Sequence, residues 1–246
     1  VDNDNVVAYT IMALVYMQGA EKNKSRLDFA KLLLEEGKKK NDKYAPLFNA
    51  WGLLHMLRAN VGQALEQFRR AVELDPTFTE ARMNVAQVVL SFRKYDEAEE
   101  HFSNVLKQKG ISSDQRYDAT VGLAVALRGK ERIDEAATRY AEAMKLIPER
   151  GDAYFNMGLL WKDFKTNDAD PEVNKTAYLK AKSFFEQYVA KVGAVGDKSK
   201  DAKDYIYDCY KVVAQLEQGI EMMKNLPPPP PEVPASQPQQ TANPSP

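Results

Sequence analysis

One pattern constrains this chain more than any single residue does. It is an alanine, an aromatic ring four positions later, and a small or apolar residue three beyond that. Ala64, Phe68 and Ala71, closed by Pro76, are the clearest case. Ala98, Phe102 and Val105 follow 34 residues on. Ala136, Tyr140 and Ala143, with Pro148, come 38 later, and Ala181, Phe185 and Tyr188 come 45 after those. Spacings of three and four put each set on one face of a helix. A period of about 34 residues marks stacked supersecondary units rather than one globular core.

Each set has a companion upstream. Phe48, Trp51, Gly52 and His55 precede Ala64, and Arg82, Val85, Ala86 and Val89 precede Ala98. Thr120, Leu123, Ala124 and Leu127 precede Ala136, and Tyr154, Met157, Gly158 and Trp161 precede Ala181. These too have helical spacing. The small residue in each companion set lets a partner backbone come close, and the alanine downstream does the same from the other side. The pairs are therefore expected to pack as antiparallel helices, small against small, with bulky groups filling the space around them.

At these residues the sequence resembles the tetratricopeptide-repeat family. With Ala45 as the first position of a unit, Trp51, Gly52, Ala64, Phe68, Ala71 and Pro76 fall on the family's signature positions. The frame continues over residues 45–78, 79–112 and 117–150, then over 151–192 with an insertion at 165–174. A divergent unit at 6–40 fits with Tyr9, Met12, Ala13, Tyr16, Ser25, Phe29 and Leu32 in place. The resemblance implies an all-α right-handed superhelix of about five helical hairpins, and a protein-binding role. Its signature side chains are then core residues.

By the same resemblance, the concave surface is lined by other positions on the first helix of each hairpin. These are Asn49, Leu53, Met56 and Leu57, then Met83, Asn84, Gln87 and Leu90, then Asp118, Val121, Val125 and Arg128. The last unit supplies Asp152, Phe155, Asn156, Leu159 and Lys162, and the divergent first unit adds Thr10, Leu14 and Met17. The groove is expected to be apolar at one end, where Met and Leu can repack around varied partners, and charged toward the other. The family's carboxylate clamp needs basic residues on consecutive first helices. Its places here hold Asn49, Met83 and Val121, so capture of an acidic C-terminus is not expected.

Periodicity places helices at 3–18, 24–40, 45–58, 61–74, 79–92, 95–108, 114–128, 133–146 and 173–191. A last helix, 200–224, presents Tyr205, Ile206, Cys209, Val213, Leu216, Ile220 and Met223 on one face, as a terminal cap requires. From Pro227 prolines crowd a segment with almost no apolar bulk, expected to be polyproline II or disordered. It reads as a linker, as a ligand for a proline-recognising domain, or as a strand that folds back on the protein itself.

The net charge of −1, with both signs interspersed, argues against nucleic acid as a partner. The lone cysteine, Cys209, rules out an internal disulfide and reads as a small buried apolar group. The longest apolar stretch, Val6 to Met17, is too short to span a membrane. A chain that opens on Val1 is expected to be trimmed or processed. Asp168, Asp170, Glu172 and Asn174 alternate as in a calcium loop, but the central Gly and terminal Glu are missing and Pro171 intrudes, so a plain polar loop is expected. No catalytic motif is present, and no enzymatic activity, metal or cofactor is expected. The expected function is a scaffold that holds a peptide or helix of another protein in its concave groove. The alternative is a structural subunit or assembly factor, periplasmic or lipid-anchored, of a bacterial envelope machine for gliding, pili or secretion. A third class is self-assembly through the 6–17 helix.

Overall fold

The computed structural model describes residues 3–21, 23–193, 196 and 198–226. The proline-rich segment from Pro227 lies outside them. Among the described residues there are eleven helices and no strand: α1 (Asn3–Gln18), α2 (Ser25–Lys40), α3 (Ala45–Leu57), α4 (Val61–Leu74), α5 (Thr79–Ser91), α6 (Tyr95–Lys107), α7 (Ser113–Gly129), α8 (Ile133–Leu146), α9 (Asp152–Phe164), α10 (Pro171–Val192) and α11 (Ser199–Lys224). Consecutive helices pair into five hairpins, and α11 packs along α10. Each hairpin touches the next through α2 and α3, α4 and α5, α6 and α7, and α8 and α9. The all-α solenoid expected from the repeat is the fold observed.

The layering follows from which faces are apolar. The second helices bury a single stripe: Ala64, Leu65, Phe68 and Ala71 on α4, and Ala98, Phe102 and Val105 on α6. Their other faces are wet. The first helices are sandwiched. α5 buries Ala81, Met83, Val85, Ala86, Val88 and Val89, positions spread over much of its circumference. The helices α3, α5, α7 and α9 also touch one another in turn, forming an inner layer.

The aromatic residues lock this arrangement. Phe68 lies flat on the α3 backbone, so close that a Cβ at Gly52 would sit 2.3 Å from the ring. Phe102 does the same to the next hairpin, where a Cβ at Gly122 would also meet the ring at 2.3 Å. Phe68, Phe102, Phe185, Tyr117 and Tyr140 are all essentially inaccessible to solvent. One family of rings therefore makes both the contacts within hairpins and those between them.

The turns inside the second, third and fourth hairpins share a device that the sequence does not advertise. Ala59, Arg93 and Glu131 have φ of 60°, 58° and 60°. Each stands 14 positions after the first residue of its unit, Ala45, Thr79 or Tyr117. The following amide bonds back into the first helix: Asn60 to the His55 carbonyl (2.9 Å), Lys94 to Val89 (3.0 Å) and Arg132 to Leu127 (3.0 Å). This is the glycine-type helix stop, executed by residues for which the left-handed conformation costs about 1 kcal/mol.

The fifth hairpin departs from this rule. At the equivalent place Lys165 has φ −114°, with no left-handed residue. The chain continues to Asp170 before α10 starts at Pro171, inside the stretch expected to be loop up to Asn174. The reason is local. The Asp170 carboxylate accepts a hydrogen bond from the Glu172 amide (2.9 Å), and a proline is well suited to the first helical turn. Asp168 likewise accepts from the Asp170 amide, and Asn174 clasps the Asp168 backbone in both directions. These polar groups serve the turn itself. The insertion therefore lengthens α10, which overhangs the end of α9.

Tyr117 joins one hairpin to the next. Its hydroxyl accepts from the Ala153 amide (3.1 Å) and donates to the Arg150 carbonyl (3.4 Å), and the Arg150 guanidinium covers its ring at 4.1 Å. Burial pushes the Tyr117 phenol up to about 12. Tyr140 is pushed up to about 12 for the same reason, but among the described residues its hydroxyl meets no hydrogen-bond partner. On the outside, Arg58–Asp28, Arg69–Glu97, Glu99 with Lys130 and Arg132, and Lys165–Asp134 bridge successive hairpins. Water and salt screen exposed pairs of this kind, so each contributes little.

The ends are less covered than the repeat frame implies. Met12, Phe29 and Leu32 are about half exposed, as are Ile11 and Val15. Cys209, Val213 and Ile220 of α11 are buried as expected, whereas Met223 is 51 % exposed.

Two pairs of substitutions test this packing. Gly52→Ala is expected to lower stability by about 1–2 kcal/mol, since forcing a Cβ against the Phe68 ring outweighs the gain in helix propensity. Gly219→Ala, which meets nothing within 4 Å, is expected to raise it by about 0.5–1 kcal/mol. Tyr117→Phe is expected to cost about 1–2 kcal/mol, while Tyr140→Phe leaves stability unchanged or higher. Thermal and urea unfolding of the four variants reads all of these.

Candidate protein-binding groove

The inner layer brings part of the expected groove together. Leu53 and Met56 of α3 and Asn84 and Gln87 of α5 line one open depression of about 260 Å³, whose floor includes Phe68 and Val88. Met56 is 40 % and Leu57 51 % exposed, large values for apolar side chains on a first helix. Leu90, Val121 and Arg128 are half-buried further along the same layer. The accessible surface is thus apolar on α3, with amide groups from α5 at its edge.

Other residues assigned to the groove from the sequence are not available to a partner. Met83 is buried in the central core, and Phe155 is buried edge-on to Phe185 (5.6 Å) and Tyr188 (5.2 Å). Adjacent positions on a helix point about 100° apart. Asn84 therefore faces the depression while Met83 turns into the neighbouring hairpin.

Asn49 and Asn156 are buried too, and their amides are occupied. Asn84 Nδ2 donates to Asn49 Oδ1 at 2.8 Å, which ties α5 to α3. Asn156 Nδ2 donates to the Asp152 carbonyl (2.9 Å), and Arg128 Nη1 donates to the Asn156 carbonyl (3.3 Å), tying α7 to α9. These polar groups hold the first helices in register. Asn84 and Arg128 thus share their donors between framework and surface, and neither restores a clamp for an acidic terminus.

The remaining reactive groups are placed as structure. Cys209 is buried, and burial pushes its thiol up to about 11, far from a reactive thiolate. His55 stacks on Trp51 with centroids 5.8 Å apart, and burial lowers its pKa. Among the described residues, no three of His, Cys, Asp or Glu gather as a metal site would require. No described helix is long and apolar enough to cross a membrane.

A second concavity lies at the insertion, residues 165–174, where the sequence departs from the repeat. The end of α9 and the extended start of α10 enclose about 600 Å³ between Trp161, Phe164 and Val173. The signal for it was the extra length of the last unit, with two aromatic residues three apart, Trp161 and Phe164, at its edge.

Residues 49–113 and 90–150 match the family model for the tetratricopeptide repeat. No functionally curated protein sequence matches the chain. Among solved structures, PilF of Pseudomonas aeruginosa superposes with a TM-score of 0.64 at 15 % identity, over 90 % of this chain and 92 % of that one. PilW, described as a widely conserved type IV pilus biogenesis factor, gives 0.66 at 16 % identity over 89 % and 96 %. MamA of Desulfovibrio magneticus RS-1 gives 0.58 at 16 % identity over 77 % and 98 %. At such identities the likeness is one of fold. The chain carries tetratricopeptide repeats, matched directly over residues 49–150, with the same hairpin packing continuing on both sides of them.

Proposed function

We propose that the chain is a non-enzymatic scaffold that holds a peptide or helix of a partner protein across α3 and α5. The observation that carries this reading is the open depression between those helices. Its floor is apolar, its rim offers the Asn84 and Gln87 amides, and Met56 stands exposed at it, while Leu57, one position on, faces a separate concavity with Ala20 and Leu27. Apolar side chains exposed together on a concave face gain by burial against a partner, at roughly 25 cal/mol per Å². The methionine adapts to different side-chain shapes. The occupant that suits this surface is an amphipathic helix or extended segment with two or three bulky apolar residues.

A second reading places the scaffold in a bacterial cell envelope, as an assembly factor or structural subunit of a machine such as a type IV pilus. The full-length superposition on PilF and PilW supports it. That reading concerns the setting and is compatible with the groove as the working surface.

The test uses positions that do not carry the fold. Met56→Glu alters one exposed side chain of the depression, so stability is expected to change by no more than about 1 kcal/mol. Affinity for a purified partner, envelope or pilus-assembly proteins being the first candidates, is expected to fall at least tenfold by calorimetry. Leu179→Glu, on the exposed side of α10, serves as the control and is expected to bind as the native chain does. Equal binding by all three chains would sink the groove reading.

A further inference from the structure

The second concavity lies at the insertion of the fifth hairpin. Where the second, third and fourth hairpins turn tightly through Ala59, Arg93 and Glu131, the fifth lacks the left-handed residue and its chain runs on to Asp170 before α10 begins. The overhanging start of α10 faces the end of α9 across an open groove of about 600 Å³. Trp161 and Phe164 form one wall, Val173 and Ala177 the other, and Phe164 and Val173 are 41 % and 45 % exposed. Lys180 Nζ stands 4.3 Å from the Trp161 ring centre.

We propose that this groove is the docking site of the chain's own proline-rich segment, beginning at Pro227. Three observations converge on that occupant. The first is chemical. Proline-rich segments bind grooves lined by aromatic rings, because the polyproline II conformation is preformed and loses little entropy on docking. A tryptophan and a phenylalanine beside an aliphatic wall supply such a groove. The second is geometric. α11 runs back along α10, with Lys175 Nζ 3.6 Å from Glu217 and Lys224 Nζ 3.7 Å from Glu172. Glu172 itself lines the groove. The chain therefore leaves α11, two residues after Lys224, beside the groove's rim. The segment from Pro227 to Pro246, at about 3.1 Å per residue, reaches some 60 Å in polyproline II, ample to enter and cross it.

The third observation is electrostatic. Glu232 is the only charged side chain from Pro227 to Pro246, and it follows five consecutive prolines. Lys180 lies on the groove at the end away from Glu172. A segment entering past Glu172 with its prolines on Trp161 brings Glu232 toward that ammonium. Tethering supplies the rest. A short linker holds its ligand at an effective concentration of about 1 mM, so even an intrinsic Kd of about 0.1 mM leaves the groove some 90 % filled.

The test needs only the full chain. Trp51 and Trp161 are its two tryptophans and give two indole N–H resonances, the first an internal reference on a different hairpin. In a chain with Pro227, Pro228, Pro229, Pro230 and Pro231 all changed to Ser, the Trp161 resonance is expected to move while Trp51 stays. A synthetic peptide of residues 226–240 added to that variant is expected to return Trp161 saturably toward its native position. The native chain should need at least tenfold more peptide for a comparable change. Adding Phe164→Ala to the variant is expected to weaken the peptide at least tenfold, with Trp51 still reporting an intact fold. An identical Trp161 position in both chains, with no response to peptide, would overturn the proposal. Equal peptide affinity for the native chain and the variant would show that the segment does not occupy its own groove. A native Trp161 position that shifts with protein concentration would place the segment in a second copy instead, and would also overturn it.

Discussion

Everything else in this molecule depends on aromatic rings lying against backbone. Phe68 and Phe102 occupy space that a single Cβ at Gly52 or Gly122 would take away. That closeness lets short helices of about 13 residues, marginal in isolation, support one another. Because the rings bridge both within and between hairpins, the core runs unbroken from α4 to α9 instead of dividing into separate units. The inner layer is then held in register by a few buried amides and the Arg128 guanidinium, and the concave face follows from that register.

The same constraint explains where surface is left over. A hairpin closed by a tight left-handed turn has no spare length, and its inner residues are shared with its neighbours. Spare surface appears in the depression between Met56 and Gln87, and where the turn device is missing, after Phe164. The first is a feature of the stack, built from residues on successive hairpins. The second belongs to a single hairpin and lies beside the end of α11. Two concavities of different origin on one solenoid suit two different occupants.

The repeat made the fold legible, because a core built from a local period can be read along the chain. Gly52, Ala64 and Phe68 announce their own neighbours. The insertion was only half legible. Pro171 looked like an interruption of a loop, yet after Asp170 it is a helix start, and that choice depends on a capping bond that spacing alone does not reveal. The turns were not legible at all, since Ala59, Arg93 and Glu131 are not glycines. The groove was legible as a face but not residue by residue. Met83 and Asn84 are one position apart, and only the placement of the neighbouring hairpin decides which of them is buried. The pairing of Asn84 with Asn49 depends likewise on the distance between two helices that are 35 residues apart at that point.

The central claim is that the concave face of α3 and α5 is where a partner sits. The most direct measurement is site-specific photo-crosslinking to a purified partner. One probe would replace Gln87 in the depression and another Glu100 on the wet face of α6. The account predicts a strong, saturable adduct from position 87 that an excess of unlabelled native chain suppresses, and little or none from position 100. Adducts of equal yield from both positions, or from the outer position alone, would contradict it.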